Sequence, residues 1–219
     1  SVHEMKGDMG GAAAVLGAVR ALAARRAPVH VVGVMALAEN MPGGDALRPG
    51  DVLRSYAGCT VEVIDTDAEG RLVLADALAW AAAELHPAAL IDLATLTGAM
   101  ITTLGRHRAG LFANDEPLAG RLLRLGEAEG EGLWRLPLSR AADEELKSPI
   151  ADLRNCAWGG PDALHAARFL ERFIPEGMPW AHLDIAGVAD STEDLPLSPK
   201  GPTGFGVRLL DALADEFPA

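Results

Sequence analysis

Apolar residues group into two kinds of run that alternate along the chain. Short, nearly continuous apolar or β-rich runs predict buried strands at 29–38, 60–64, 89–96, 110–114 and 180–187. Longer runs with apolar residues three and four apart predict helices at 9–25, 72–85, 116–129, 163–173 and 206–217. Strands that alternate with helices indicate an α/β fold, with a largely parallel mixed sheet sandwiched between helices.

No repeat, low-complexity tract or obvious linker interrupts this order, so the sequence predicts one domain over 1–219. The first residues, Ser1–Lys6, contain neither an initiator methionine nor a secretory signal, and we expect them to follow a cut through a longer protein. No run reaches the roughly 18 uncharged apolar residues of a membrane span, so no membrane association is expected.

Composition narrows the function classes. The formal net charge of −12 argues against nucleic-acid binding, which needs a basic surface. Cys59 and Cys156 stand outside any paired motif, which is typical of reduced thiols in the cytoplasm. The six histidines show no metal-ligand spacing, and the nucleophile motif of serine hydrolases is missing from the sequence.

An acidic stretch, Asp65-Thr66-Asp67-Ala68-Glu69-Gly70-Arg71, carries the candidate chemistry. It follows the predicted strand 60–64 and enters the next predicted helix, and open α/β sheets bind ligands at the carboxyl ends of their strands. Carboxylates this close repel one another unless a cation joins them, and a hard divalent metal is a common solution.

Two other interpretations of this stretch stay open. In the first, 65–76 has the spacing of an EF-hand calcium loop, but such a loop must follow a helix and here a strand is predicted. In the second, Asp67 or Glu69 caps the next helix and faces water. A ligand site is favoured by Arg71, a cation beside the acids, and by Asp8, an acid at another predicted helix start between glycines.

One further pair of polar residues lies on a predicted strand. His182 and Asp184 are two residues apart within 180–187 and therefore share a face of the sheet. We expect them to shape the edge of the sheet near the site.

Several motifs together resemble the leucyl aminopeptidase (cytosol aminopeptidase) family of two-metal exopeptidases. The family's hallmark, Asn-Thr-Asp-Ala-Glu-Gly-Arg-Leu, is matched by 65–72 except at its first position, where this chain has aspartate. The other matching segments follow in the family's order and lie at 5–12, 39–44, 48–53, 94–99, 134–138 and 180–187. The resemblance implies a zinc-peptidase-like catalytic domain that lacks its first strands.

The resemblance also implies roles for the charged residues. Asp8, Asp67 and Glu69 look like ligands of two divalent metal ions (Zn, Mn or Mg), with Glu69 bridging the pair. Arg71 looks like the residue that holds a bicarbonate, which takes the proton from the attacking water. An enzyme of this family removes leucine-like residues from the amino termini of peptide substrates.

The same resemblance assigns substrate-binding residues and an assembly. The residues that grip the peptide or line the pocket for its first side chain are Met5, Ala68, Thr95, Leu96, Gly98, Ala186 and Ala189. Ala189 is small where some relatives have methionine, so a roomier pocket is expected. The family implies a cytoplasmic homo-oligomer, typically a hexamer.

The sequence departs from the family pattern in three places, and these departures affect the activity expected of the chain. The family draws a lysine and an aspartate ligand from an earlier segment, and a second lysine after it, which we expect upstream of Ser1. We therefore predict that the 219-residue chain alone is inactive. Asp65 replaces asparagine, and Pro161-Asp162 replaces a run of small residues. A non-catalytic structural subunit or degenerate relative stays the alternative.

Overall fold

A computed structural model describes residues 2–217, which contain seven α-helices, nine strands and two 3₁₀ helices. The α-helices are α1 (Gly10–Arg25), α2 (Gly70–Leu85), α3 (Gly98–Leu104), α4 (Glu116–Ala128), α5 (Ala142–Glu145), α6 (Asp162–Glu171) and α7 (Val207–Ala214). The strands are β1 (Val52–Arg54), β2 (Thr60–Glu62), β3 (Leu90–Ala94), β4 (Ala109–Ala113), β5 (Leu133–Arg135), β6 (Leu153–Arg154), β7 (Trp180–Asp184), β8 (Asp190–Ser191) and β9 (Gly201–Pro202). The 3₁₀ helices are Val2–Met9 and Thr66–Ala68.

The described residues fall into two compact units. Unit 1 contains 2–35, 91–136 and 179–217, and unit 2 contains 36–90 and 137–178. Each unit has helices and a sheet of mixed strand direction, so the predicted α/β fold with mixed sheets is confirmed. The prediction of a single catalytic domain over 1–219 stays a prediction.

The sheet of unit 1 has the strand order β3-β7-β4-β5. β4 runs parallel to β5 and antiparallel to β7, with Gly110 opposite Asp184 and Ala113 opposite Ala181. Every residue of β4 and β7 is buried. β4 is wholly apolar in sequence, as expected for a strand covered on both faces, whereas β7 also buries the polar side chains of His182 and Asp184. Helix α4 packs against β4 and β5, and α7 packs against α1 and α4.

Helix α1 of unit 1 lies very close to β3. Its buried residues Gly11, Ala14, Ala18 and Leu22 are three and four apart, the spacing of one helix face. A Cβ added at Gly11 would lie 2.0 Å from the carbonyl oxygen of Leu93, so only glycine permits this approach. The close packing fixes the start of α1, and with it the preceding segment that carries Asp8.

Unit 2 contains the strand order β1-β2-β6, in which β2 is antiparallel to β1 and parallel to β6. Helix α2 packs against α6 through a face rich in alanine. The chain leaves β2, forms the 3₁₀ helix Thr66–Ala68 and enters α2. The predicted order of strand, acidic loop and helix is therefore confirmed.

The predicted strand at 29–38 is wrong. This segment has no regular secondary structure, and four of its large apolar side chains are about half exposed, from 43% at Val31 to 56% at Leu37. A strand exists only where a neighbour completes its ladder of hydrogen bonds, and in residues 2–217 no strand pairs with this segment. The apolar run predicted a buried strand, and both parts of that prediction fail because, in the described part of the chain, the segment has neither a strand partner nor buried side chains.

Among the described residues, no helix has both the length and the apolar character needed to cross a membrane.

Candidate functional site

The acidic loop of unit 2 is shaped by one of its own carboxylates. Asp65 is the N-cap of the 3₁₀ helix Thr66–Ala68, and its Oδ1 accepts a hydrogen bond of 3.0 Å from the Asp67 amide. Glu69, at the N-cap position of α2, makes no such side-chain cap. Asp65 thus caps the 3₁₀ helix, whereas within the described residues no side chain caps α2 as the sequence allowed for Asp67 or Glu69. Asp67 is left exposed and Glu69 is half-buried.

Asn155 holds this loop at both of its ends. Its fully buried side chain accepts from the Ile64 amide at 2.8 Å and donates to the carbonyl oxygens of Asp65 at 2.6 Å and Ala68 at 3.3 Å. Sequence reasoning did not find Asn155. Nothing near it in the sequence indicates the role, because its partners lie 87 to 91 residues away.

Arg71 is buried beside the acidic loop and already has an acidic partner. Its Nη1 donates to the carbonyl oxygen of Asn155 and its Nη2 to Oδ1 of Asp162, each at 2.9 Å. The Arg71 side chain is 4% exposed, whereas that of Asp162 is 48% exposed. Asp162, noted in the sequence only as a departure from the family, is thus the carboxylate that faces this buried cation.

Asp8 lies in unit 1, at the end of the 3₁₀ helix Val2–Met9. The Thr95 hydroxyl is 2.7 Å from Asp8 Oδ1 and 2.9 Å from the Asp8 carbonyl oxygen, so its proton holds Asp8 beside the end of β3. A Cβ added at Gly10 would lie 3.1 Å from the Ala189 Cβ and 3.3 Å from the Thr95 Cγ2. The structure therefore brings together Asp8, Thr95 and Ala189, three of the predicted site residues.

Two more predicted residues, Leu96 and Ala186, are joined by Asp184. Its Oδ1 accepts from the Leu96 amide and from the Ala186 amide, both at 3.2 Å. Of the remaining predicted residues, Met5 is 49% exposed and Gly98 begins α3 with no neighbouring atom where its Cβ would be. Ala68, in unit 2, is buried and its carbonyl faces Asn155.

The candidate carboxylates are chemically suitable metal ligands, but they are too few to complete two metal sites. Carboxylate oxygens are good ligands for Mn²⁺, Mg²⁺ and Zn²⁺. Two ions need more donors than Asp8, Asp67 and Glu69 supply, and within 2–217 no group of three or more His, Cys, Asp or Glu side chains could hold a metal. The convergence of Asp8 with Asp67 and Glu69 stays a prediction.

The calcium-loop interpretation is not favoured by the structure. Strand β2, and not a helix, precedes Asp65. An EF-hand needs a helix on both sides of its loop.

Comparison with known sequences identifies the family. The sequence profile of the cytosol aminopeptidase family, catalytic domain, matches residues 1–211. The chain is 56% identical over 217 residues to a probable cytosol aminopeptidase of Roseiflexus castenholzii, covering 98% of this chain and 44% of that protein. It is 52% identical to a probable cytosol aminopeptidase of Brucella melitensis, covering 99% and 45%. The chain belongs to the cytosol aminopeptidase family, and the predicted resemblance is confirmed.

Comparison with solved structures agrees. A mutant of tomato leucine aminopeptidase superposes with a TM-score of 0.88 at 43% identity, covering 97% of this chain and 41% of that chain. The bottromycin maturation enzyme BotP in complex with Mn superposes with a TM-score of 0.87 at 44% identity, covering 94% and 47%. The chain thus spans less than half the length of the relatives it matches.

Proposed function

We propose that the protein that contains this chain is a metal-dependent aminopeptidase that removes leucine-like residues from the amino termini of peptides in the cytoplasm. The observation that carries the proposal is the family match over 1–211, which includes the acidic loop with Asp67 and Glu69. The metals are two divalent ions, Zn, Mn or Mg, and the assembly is a homo-oligomer of the hexameric kind. The complex of the relative BotP with Mn supports Mn among these metals.

Asp67 and Glu69, with Asp8, are the proposed metal ligands. A bound pair of divalent ions polarises the scissile carbonyl and makes water nucleophilic near neutral pH. This chain contributes the rigidity of the ligands, because Asp65 caps the acidic loop and Asn155 joins its two ends. Ligands that are held before the metal arrives lose less conformational entropy when it binds.

In this proposal, residues of unit 1 and the backbone of Ala68 bind the peptide. Backbone groups around Leu96 and Gly98, and that of Ala68, hold the peptide, while the side chains that line the first pocket are Met5, Thr95, Ala186 and Ala189. Support comes from the contacts of Thr95 and Ala189 with the segment that carries Asp8.

Arg71 is proposed to hold the anion that accepts a proton from the attacking water, and bicarbonate is that anion in our proposal. Asp162 competes with bicarbonate, because its carboxylate is 2.9 Å from Nη2 of Arg71. A carboxylate and a bicarbonate ion offer the same planar oxygens to a guanidinium. Arg71 therefore binds either the Asp162 carboxylate or a bicarbonate ion from solution.

Replacing Asp162 with asparagine is expected to increase the response to bicarbonate. Asparagine can still accept from Arg71 but lacks the charge, and a hydrogen bond to a charged group exceeds a neutral one by about 1 kcal/mol, so the half-saturating bicarbonate concentration should fall about fivefold. Activity of the intact gene product is measured against added bicarbonate in bicarbonate-depleted buffer. The control is Glu176→Gln, which removes one negative charge at an exposed position of the same unit. Equal bicarbonate responses in the two variants would show that Asp162 does not compete.

The proposed function itself is tested by comparing two lengths of the protein. With Mn²⁺ and a leucyl chromogenic amide, residues 1–219 alone are expected to give no hydrolysis above the metal-only blank, because their three candidate carboxylates cannot complete two metal sites. The intact gene product is expected to hydrolyse the amide, with the full-length Brucella melitensis relative assayed beside it. Robust hydrolysis by the 219-residue chain would overturn the first expectation. An inactive gene product beside an active relative would favour the non-catalytic subunit.

A further inference from the structure

Asp184 is a fully buried carboxylate at the end of β7 in unit 1, and the proposed chemistry gives it no role. Its Oδ1 accepts from the Leu96 and Ala186 amides, and its Oδ2 accepts from the Thr97 hydroxyl at 2.7 Å. Its partners come from two separate segments, the connection between β3 and α3 and the turn after β7. One side chain therefore ties these two segments together.

Burying a carboxylate costs free energy unless hydrogen bonds or a nearby positive charge compensate for the lost hydration. Burial raises the pKa of Asp184, while His182 and the hydrogen bonds from Thr97, Ala186 and Leu96 oppose that rise. Thr97 is itself buried, and it uses its hydroxyl for Asp184 although it stands at the N-cap position of α3. A residue that only filled space at this position would be apolar, because an apolar side chain carries no desolvation cost.

We propose that Asp184 is a positioning residue for peptide binding, which fixes the distance between the backbones of Leu96 and Ala186. The inference rests on the proposed function, since that function assigns Leu96 and Ala186 to the peptide site. Thr95 strengthens the argument: it directly precedes Leu96 and binds Asp8 through its hydroxyl. A displacement of this connection would thus move the peptide-binding backbone and a candidate metal ligand together.

The test compares Asp184→Ala with Asp184→Asn in the intact gene product. Since misplaced binding groups cost up to about 100-fold, Asp184→Ala is expected to raise KM for a leucyl amide between about tenfold and about 100-fold, with a smaller change in kcat. Asp184→Asn is expected to restore most of the loss, because its Oδ1 still accepts from both amides and its Nδ2 can donate to the Thr97 hydroxyl. An equal KM for Asp184→Ala and the unaltered enzyme would overturn the proposal.

Asp92 is a matched control for a merely structural role. It is buried on β3 of the same sheet, where it accepts from the indole of Trp180 at 2.7 Å and pairs with His182 at 2.5 Å, and these hydrogen bonds do not involve Leu96 or Ala186. Asp92→Ala is expected to lower the melting temperature as Asp184→Ala does while KM stays unchanged. If Asp92→Ala raises KM as much as Asp184→Ala does, Asp184 is structural only and the proposal fails.

Amide hydrogen exchange separates this inference from the proposed function. In the intact gene product, the Leu96, Thr97 and Ala186 amides are expected to exchange at least about tenfold faster in Asp184→Ala than in Asp92→Ala. Should Asp184→Ala not fold, Thr97→Val removes only the hydroxyl bond and is expected to raise exchange at the same three amides. Unchanged exchange of these amides in the folded variants would refute the proposal that Asp184 holds the two segments together. A gene product without peptidase activity would refute the proposed function, whatever the exchange shows.

Discussion

The Glu69→Gln variant of the intact gene product is expected to lose Mn²⁺-dependent hydrolysis of a leucyl amide by more than about 100-fold, because changes next to a metal's ligands alone cost about 10–100-fold. Glutamine keeps the size of the side chain but removes the charge that would bridge two cations. The fold is expected to be kept, because glutamine has the shape of glutamate and Asp65 keeps its own cap on the loop. The loss should therefore appear in catalysis and metal affinity, without a change in melting temperature.

A metal titration distinguishes this cause from general damage. The Mn²⁺ concentration for half-maximal activity should rise in Glu69→Gln. It should stay unchanged in Glu84→Gln, which removes the same charge near the other end of α2, at a residue that accepts a hydrogen bond from the Tyr56 hydroxyl. A Glu69→Gln enzyme that keeps more than half of its activity would exclude Glu69 as a metal ligand.

The sequence predicted the elements whose cause is local. The acidic loop between β2 and α2 follows from a β-rich run, three acids and a helical run, all within 60–85. The helices α1, α4 and α6 follow likewise from apolar spacing and begin within a residue or two of the prediction. In each case the information lies within one continuous segment of the chain.

The predictions that failed or were never made depend on distant partners. The run at 29–38 has the composition of a buried strand, but no strand pairs with it within 2–217. The role of Asn155 comes from hydrogen bonds across 87 to 91 residues, and the bond of Asp184 to the Leu96 amide spans 88, so no local pattern encodes either of them. Family resemblance supplied the candidate ligands, but the residues that hold those candidates in place became visible only in three dimensions.

Replacing Gly11 with alanine is expected to lower the free energy of unfolding by more than about 3 kcal/mol, the upper end of the usual cost of overpacking. The added Cβ would lie 2.0 Å from the Leu93 carbonyl oxygen and 3.1 Å from the Ala94 Cα, and these backbone atoms of β3 cannot rotate away. Helix α1 would have to move off the sheet. At roughly 2–4 °C per kcal/mol for a chain of this size, the melting temperature should fall by about 6–12 °C or more.

Gly120→Ala is the matched control, because Gly120 is an exposed residue within α4 and a Cβ there meets no atom within 4 Å. Alanine is the better helix former by about 0.5–1 kcal/mol, so this variant should be more stable than the unaltered protein. Urea unfolding of both variants measures the two effects, which must have opposite signs. Alanine is preferred over glycine in a helix at both positions, so the two variants differ only in that the backbone of β3 lies against Gly11 and no atom of the described residues lies against Gly120. A Gly11→Ala protein as stable as Gly120→Ala would mean that α1 does not pack against Leu93 in solution.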